Sequence, residues 1–591
     1  MQPVDFTTLM ATYAELRNDW LPARCEQVVQ RDRTTICMAL RTLRQRRWLT
    51  ISWHPQAARI HMGDPPPRTP DTFTFSQQLK HQLNGYALVE INPVAPWERV
   101  LDLRFARRPG DPIQWHLYVE VMGQYSNVIL VNAQNQVVTA AHQVSENQSS
   151  VRPVLTGTPY VLPPAITGPF PTLEESQERW QERVSLIPTT LKKALFKAYS
   201  GLSSALIRDL VCGANLDASQ GVDTLSPDDW SRLFEQWQFW LRGLEAESFQ
   251  PGLLDGGGYS VLIGTQAATT ASVQGLLRDY YTAELNFQEF GRLKHQLSQR
   301  LKTLLKKLRQ KEDSFRTRLE QADHADVYRQ QADLLMAYSY QWRPGLLKMV
   351  LEDFETGEPV EIPLKPEKTA VQTAQAYYKR HQKLKRSRQA IEPLLSEVLS
   401  EVTYLEQVDA ALKQSEQYET EADLAAIIEI RDELIQQQYL EDPTYRPGQN
   451  RPQDELNVRK FLTPNKLEVW VGRNNRQNDL LISQVATDYD LWFHTQEIPG
   501  SHVLLRLQAG QAADEADLQF TADLAAYFSR AQQADQVPVV YTQPRYVFKP
   551  KGARPGMVVY THEAVLWGQP QHLRELLSGT LPSPQLVVTA S

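Results

Sequence analysis

The stretch from Tyr281 to Gln437 is built almost entirely of helix-forming residues, and one long break interrupts it, near residues 340–368. In the arm before the break, apolar side chains recur every three or four positions, which keeps one apolar stripe facing a partner helix. The members of this stripe are Phe290, Leu293, Leu297, Leu301, Leu304, Leu308, Phe315 and Leu319. The spacing predicts a long antiparallel coiled-coil hairpin over residues 283–437, with a small folded tip at about 340–368.

Positive charge is concentrated on this predicted rod. Residues 291–320 carry 10 Lys or Arg against 3 acidic residues, and residues 377–388 form a second basic run, in a chain whose net charge is -7. Solvated helix faces would explain either run alone. A turn centred near Leu351 predicts that the two runs lie side by side at the same height, where a phosphate backbone is the commonest partner. The candidate RNA contacts on the rod are Lys306, Lys307, Lys379, Arg380, Lys383, Lys385 and Arg386.

Length and composition are those of a soluble, multidomain globular protein: 591 residues, 42% hydrophobic and 22% charged. The first residues show no signal peptide, and no stretch of eighteen apolar residues follows. The three cysteines, Cys25, Cys37 and Cys212, have no metal-ligand spacing, so we expect reduced thiols. These features predict a cytoplasmic protein with no membrane partner.

Two regions precede the rod. Residues 1–170 read as an α+β domain with a mainly antiparallel sheet, in which a helix over 5–18 is followed by strands. Residues 171–282 read as a mainly helical region that returns to a strand at 259–263 and a helix at 272–281. Within it, Gly201 separates two short helices at 191–199 and 204–211. This pattern fits a helix-hairpin-helix that offers amides to a phosphate, and it fits a plain αα-hairpin equally well.

After a linker at 438–452, the pattern changes to alternating strands, which predicts a second α+β domain over 453–591. Three segments of this domain combine guanidinium, amide, imidazole and aromatic groups, which bind phosphates, sugar hydroxyls and unstacked bases. Their candidate RNA-binding residues are Arg473, Asn474, Asn475, Trp492, His494, His502, Lys549 and Lys551. The two histidines could equally be structural imidazoles. No metal site is predicted, because a turn separates them and no third ligand is evident.

These C-terminal strings closely resemble the C-terminal domain of the NFACT family. The resemblance extends over nearly the whole chain, since residues 119–130, VEVMGQYSNVIL, resemble the family's EIMGRHSNIIL and residues 373–379 resemble its ENAQ-Y-KKY segment. It implies an N-terminal NFACT domain, a helix-hairpin-helix domain, a coiled coil and a C-terminal NFACT-R domain. This is the same order that the residues themselves predict.

For function, the resemblance implies a ribosome quality-control factor that binds a large ribosomal subunit obstructed by peptidyl-tRNA. Bacterial members recruit alanyl-tRNA and add a template-free alanine tail to the stalled nascent chain, marking it for degradation. The ribosome performs the peptidyl transfer, so neither an enzyme active site nor a cofactor is expected. Consistently, the sequence contains no P-loop, HExxH or GxSxG motif. A small RNA-binding protein of the same pathway is a further expected partner.

The tRNA-binding residues implied by the resemblance lie in the N-terminal domain. The family's Asp-Arg pair falls at Glu98 and Arg99, and Asn127 and Arg152 complete the expected set. Glu98 is one methylene longer than the family's Asp, and Gln124-Tyr125 replaces the usual Arg-His. If Glu98 and Arg99 instead lay on an exposed strand, only one of them would face a ligand.

Two other classes of function fit the sequence less well. The family's N-terminal domain is related to formamidopyrimidine-DNA glycosylases, but that chemistry uses an N-terminal proline amine followed by Glu, and this chain begins Met1-Gln2-Pro3. A surface fibronectin-binding adhesin would need export, for which the sequence shows no signal peptide.

Overall fold

The computed structural model describes residues 1–67, 70–149, 151–164, 167–262, 267–442, 445 and 456–577. These residues form two compact units that divide after Asn286. Most of the predicted linker, namely residues 443–444 and 446–452, lies outside the described residues. So do Ile263 of a predicted strand and residues 453–455 and 578–591 of the predicted C-terminal domain.

The first unit opens with two helices and a large antiparallel sheet. Its elements are α1 (Phe6–Trp20), β1 (Ala23–Asp32), β2 (Thr35–Arg41), β3 (Arg46–Ser52), β4 (Arg59–Gly63), α2 (Thr74–Leu83), β5 (Ala87–Pro93), β6 (Val100–Ala106), β7 (Trp115–Glu120), β8 (Asn127–Asn132) and β9 (Val137–Ala140). Within the described part of this unit the strand order is β4-β3-β2-β1-β5-β6-β7-β8-β9. The mainly antiparallel sheet predicted for this region is present.

The sheet follows the alternation of apolar and polar residues along its strands. In β6, Leu101, Leu103 and Phe105 are fully buried in the main core, while Asp102 and Arg104 face the other side and pair with each other at 2.7 Å. The side chain of Asp5 caps α1 by accepting from the Thr8 amide at 2.8 Å, as expected for an Asp at this position.

A helical subdomain with an aromatic core completes the first unit. Its helices are α3 (Gln177–Ser185), α4 (Leu191–Ala198), α5 (Ser204–Gly213) and α6 (Pro227–Glu245), followed by the short strands β10 (Gly252–Leu254), β11 (Tyr259–Ser260) and β12 (Ala267–Thr269). Trp180, Trp237 and Trp240 are among its fully buried side chains. The two short helices predicted on either side of Gly201 are α4 and α5.

The rod of the second unit is formed by four helices and a small tip. They are α7 (Val273–Asp323), which begins before the rod, α8 (Ala325–Ala337), α9 (Ala370–Gln414) and α10 (Glu421–Gln436), and the tip contains β13 (Lys348–Glu352) and β14 (Pro359–Pro363). The predicted stripe packs as expected: Phe290, Leu293, Leu297 and Leu301 are buried against residues of α9 and α10.

The prediction of one long break is wrong. A second break at residues 415–420 separates α10 from α9, so the described part of the rod has three helices at its base and two farther out. The tip is a folded cap, as predicted, with Met349, Leu351 and Ile362 buried on one side of the β13–β14 ribbon.

The C-terminal domain has a six-stranded antiparallel sheet in its described part. Its elements are β15 (Arg459–Leu462), β16 (Glu468–Val471), α11 (Asn475–Leu480), β17 (Leu491–Thr495), β18 (Val503–Leu505), α12 (Glu515–Tyr527), β19 (Val537–Thr542), β20 (Val547–Phe548), β21 (Val559–Tyr560), β22 (Ala564–Gly568) and α13 (Pro570–Leu577). The strand order is β15-β16-β18-β17-β19-β22. Helix α12 covers one face, and a cluster that includes Trp492 and Leu504 lies on the other. The predicted fold class, with α+β ends and a long antiparallel helical hairpin, is confirmed.

Candidate nucleic-acid interface

The predicted basic residues of the rod lie exposed on α7 and α9. Within the described chain, none of the seven has a carboxylate within ion-pair distance, whereas neighbouring arginines do: Arg309 pairs with Glu406, and Arg388 with Asp323. Arg380 also lies over the ring of Tyr328 at 4.4 Å. The unpaired cations therefore keep their full charge available to a partner outside this unit.

The prediction that the two basic runs lie at the same height is wrong. Arg388 pairs with Asp323 at 3.0 Å, and Tyr378 donates to Asp333 farther out, so residues 377–388 pack beside residues 323–333. Lys306 and Lys307 lie nearer the base, where Arg309 pairs with Glu406. At about 1.5 Å per residue, the offset spreads the positive charge along roughly 30 Å of the rod instead of collecting it at one point.

Arg473, Asn474 and Asn475 lie against α10, where acidic side chains accept from them. Arg473 forms an ion pair with Asp423, Asn474 donates to Glu429 at 2.8 Å, and Asn475 donates to Glu433 at 2.9 Å. Arg476 and Gln477 add further contacts to Glu429. We call this set of contacts the α10–α11 joint. Asn474 and Asn475 are both buried in these contacts, and their role in binding RNA stays a prediction.

Glu433 is the most deeply placed carboxylate of the α10–α11 joint. Its Oε1 accepts from the hydroxyl of Tyr404 at 2.7 Å and from the amide of Asn475. Burial raises its pKa to about 7, although the hydrogen bonds from Asn475 and Tyr404 oppose this shift.

Trp492, His494 and His502 form a compact cluster on the other face of the sheet. The ring of Trp492 stacks on His494 with centroids 5.8 Å apart, and His502 meets both rings edge-on at 5.3 Å. Burial lowers the pKa of His494 to about 4 and that of His502 well below its ordinary value, so both rings are neutral. Trp492 and His502 are almost fully buried, and the role of this segment in binding RNA stays a prediction.

The two lysines of the third segment differ in their surroundings. Lys549 forms an ion pair with Asp479, while Lys551 is exposed and has no carboxylate partner among the described residues. Lys551 therefore joins the rod residues as a free surface cation.

Glu98 and Arg99 lie in the loop between β5 and β6, not on a strand as the alternative supposed. Glu98 is buried, Arg99 is half-exposed, and the Arg99 carbonyl accepts from the Val121 amide at 2.9 Å. The preceding residue, Trp97, packs against the helical subdomain. Trp97 was not among the predicted residues. The local indication in the sequence is Pro96 just before it, because Pro favours a turn at this position.

Asn127 and Arg152 both have partners within the first unit. The side chain of Asn127 donates to the His142 carbonyl at 2.7 Å and accepts from its amide at 3.0 Å. Arg152 pairs with Glu120, which is itself buried and accepts from Tyr160 at 2.9 Å. Their tRNA-binding role stays a prediction.

At the turn between α4 and α5, one amide at the start of α5 is capped within the chain. Ser203 caps α5 by accepting from the Leu206 amide, and its hydroxyl donates to Asp5 at 2.5 Å. The hypothesis that this turn holds a phosphate stays a prediction. The exposed side of α4 instead carries Lys192, Lys193 and Lys197, which the sequence analysis did not single out.

Within the described ranges, no three His, Cys, Asp or Glu side chains are grouped so that they could hold a metal ion. No helix in the same ranges is long and apolar enough to cross a membrane.

Comparison with known proteins points to one family for the whole chain. The family model for NFACT N-terminal and middle domains matches residues 5–453, and that for the NFACT protein RNA binding domain matches residues 457–561. A protein from Streptococcus suis (strain 05ZYH33) named Rqc2 homolog RqcH is 30% identical over 565 residues, which is 94% of this chain and 95% of the relative. A protein of the same name from Bacillus subtilis (strain 168) is 28% identical over 578 residues, covering 95% and 97% of the two chains.

Solved structures match parts of the chain. The C-terminal part of the fibronectin/fibrinogen-binding protein from Streptococcus suis is 29% identical and covers 48% of this chain and 95% of that structure, with a TM-score of 0.36. The N-terminal part of the same protein is 24% identical and covers 47% and 98%, with a TM-score of 0.37.

Proposed function

Because this chain belongs to the NFACT family, we propose that it is a ribosome quality-control factor that binds a large ribosomal subunit obstructed by peptidyl-tRNA. There it recruits alanyl-tRNA and promotes template-free alanine tailing of the stalled chain, while the ribosome performs the peptidyl transfer. The relatives named RqcH and the match to an RNA binding domain support this proposal. A cytoplasmic location and a small RNA-binding protein as a further partner belong to the same proposal.

The observation that carries the proposal is the set of unpaired cations along the rod. An exposed cation that already pairs with a carboxylate gains little from a phosphate, because it must first lose that partner. Lys306, Lys307, Lys383 and Lys385 have no such partner among the described residues. Each can therefore neutralise a phosphate and release the counterion bound there, which favours binding at low salt.

The test compares two variants that change the charge equally on the same two helices. The first replaces Lys306, Lys307, Lys383 and Lys385 with Glu. The matched control replaces with Glu four cations that already have a carboxylate partner in the rod, namely Arg292, Arg316, Arg388 and Lys413. Cosedimentation with purified large subunits is measured over a series of salt concentrations.

We expect the first variant to bind weakly, with a salt dependence reduced by about 0.7 to 0.9 per lost phosphate contact in the slope of log K against log salt. The control should lose much less affinity, although both variants change the net charge by the same amount. If the two variants lose affinity equally, the four unpaired lysines make no specific contact. If the first variant binds normally, the rod does not contact the large subunit through these lysines.

The tRNA part of the proposal has its own test. Replacing both Glu98 and Arg99 with Ala should abolish copurifying tRNA and tail synthesis while large-subunit cosedimentation persists. Glu98→Asp restores the family's acid and should retain both activities. Sequencing the copurified RNA identifies the tRNA, and a pool without enrichment of alanine tRNA would contradict the alanine assignment.

A further inference from the structure

The loop that carries Glu98 and Arg99 contains a backbone conformation that its sequence does not favour. Residues 95–98 form a turn in which the Glu98 amide donates to the Ala95 carbonyl at 3.3 Å, with Pro96 in the second position. Trp97 occupies the third position with φ +62°. This geometry fits a type II turn, in which that position normally takes Gly or Asn. A bulky residue with positive φ is a genuine outlier that its surroundings must hold in place.

The surroundings hold Trp97 through its ring. The ring lies 4.7 Å from that of Phe6 in α1, stacks on Phe170 at 6.2 Å with an interplanar angle of 3°, and meets Trp240 of α6 edge-on at 5.8 Å. It also covers the turn between α4 and α5, because a Cβ atom built on Gly201 would lie 3.0 Å from Cε3 of Trp97. Gly201 itself has φ +84°, so the two turns meet at residues with unusual backbones.

This packing bears directly on the neighbouring pair. On one side, the Trp97 ring ties the loop to the helical subdomain. On the other, the Arg99 carbonyl accepts from Val121, and the Val100 carbonyl accepts from Val94 at 3.2 Å. Glu98 and Arg99 therefore lie between two fixed points, and a shift of the ring would displace them.

We propose that Trp97 is a positioning residue through which the α4–α5 turn sets the placement of Glu98 and Arg99 for tRNA. The inference rests on the proposed function, because it assigns a role relative to that pair. It explains why tryptophan occupies a position where glycine would form the same turn without strain: the ring is retained for its contacts, not for the turn. The helical subdomain thereby acts on tRNA selection through Trp97.

The key variant is Trp97→Gly, because glycine favours the backbone of this turn and removes only the ring. If the ring positions the pair, copurifying tRNA should fall roughly tenfold or more, since displacements of about 1 Å can cost up to a hundredfold. Large-subunit cosedimentation should persist. Trp97→Phe keeps an aromatic ring and should restore most of the tRNA. Phe239→Ala removes an exposed aromatic side chain from the same unit and serves as the control.

Gly201→Ala tests the contact from the other side and leaves Trp97 unchanged. The added methyl group lies 3.0 Å from the ring and also strains the backbone, because Gly201 has φ +84°. Where the variant still folds, we expect a smaller loss of tRNA with the same preserved cosedimentation. Thermal unfolding of each purified variant shows whether the first unit still folds. If Trp97→Gly does not fold, copurifying tRNA is compared in Gly201→Ala, Trp97→Phe and the natural chain.

The outcomes separate the two proposals. If the Glu98, Arg99 double variant loses tRNA while folded Trp97→Gly keeps it, the turn alone places the pair and the inference is overturned. If the double variant keeps its tRNA, the proposed role of the pair fails independently of Trp97. If Trp97→Gly and Trp97→Phe lose tRNA equally, the ring stack is not what positions the pair, which also overturns the inference.

Discussion

Replacing Glu433 with Gln should make the second unit more stable at alkaline pH and leave it nearly unchanged at acid pH. In the folded chain the carboxyl group is buried between Tyr404 and Asn475, and its pKa is about 7, against an ordinary value of 4.5. Above pH 4.5 the unfolded chain loses this proton while the folded chain keeps it. Stability is therefore highest below pH 4.5 and falls as the pH rises through 7.

The size of the effect follows from the two pKa values. Their difference corresponds to a contribution of about 3 kcal/mol to the free energy of unfolding. Most of this contribution is lost between pH 5 and pH 8. In the Glu433→Gln variant, the new amide would keep an oxygen that accepts from Tyr404 and Asn475 but would carry no charge at any pH. The stability of this variant relative to the natural chain should therefore rise by roughly 2 to 3 kcal/mol over this interval.

Hydrogen exchange of peptides from α10 measures the effect locally, after correction for the pH dependence of intrinsic exchange, and does not require the whole chain to unfold in one step. Glu397→Gln, at an exposed position on α9, is the control and should show no comparable change. If the difference in exchange rate between Glu433→Gln and the natural chain is the same at pH 5 and at pH 8, Glu433 does not have a raised pKa. If α10 exchanges faster in Glu433→Gln than in the natural chain at pH 8, the charged carboxylate stabilises the α10–α11 joint and the reasoning is refuted.

Two further predictions test the packing of each unit. Leu301→Ala should destabilise the base of the rod by about 2 to 5 kcal/mol, because Leu301 is fully buried in the seam. Faster hydrogen exchange in the facing part of α9 would report this loss. An unchanged exchange rate would mean that the neighbouring side chains relax to fill the cavity. Asn127→Ala should cost the first unit about 1 to 3 kcal/mol, since the backbone amide and carbonyl of His142 lose their partner. Loss of copurifying tRNA without any fall in thermal stability would show instead that Asn127 contacts tRNA.

The seam of the rod could be predicted because its apolar residues recur at helical spacing within one continuous segment. Phe290, Leu293, Leu297 and Leu301 repeat at the spacing of one helix face, and no other arrangement buries all of them against a partner helix. The break at 415–420 is different, because it contains neither Gly nor Pro. Its only local signal is the capping box in which Thr420 and Asp423 exchange hydrogen bonds at the start of α10.

The partners of the C-terminal motif could not be predicted from the motif itself. Arg473, Asn474 and Asn475 are groups that suit RNA, and nothing beside them in the sequence suggests another use. Their acceptors, Asp423, Glu429 and Glu433, lie more than forty residues earlier on a helix that the sequence analysis did not separate from α9. The same dependence on distant register explains why the basic runs were placed at one height.

The rod is mechanically uneven along its length. Its base has three packed helices, but in the described part of the rod only two arms continue beyond them, one formed by α7 and then α8 and the other by α9. In that thinner part α9 contains Pro393, which lacks the amide needed for a helical hydrogen bond, and the other arm is interrupted at His324. Since Arg388 pairs with Asp323, the two irregularities lie within about 10 Å of each other along the axis. We therefore expect the bending stiffness to be lowest there, so that a load on the tip bends the rod at this point and leaves the three-helix base straight.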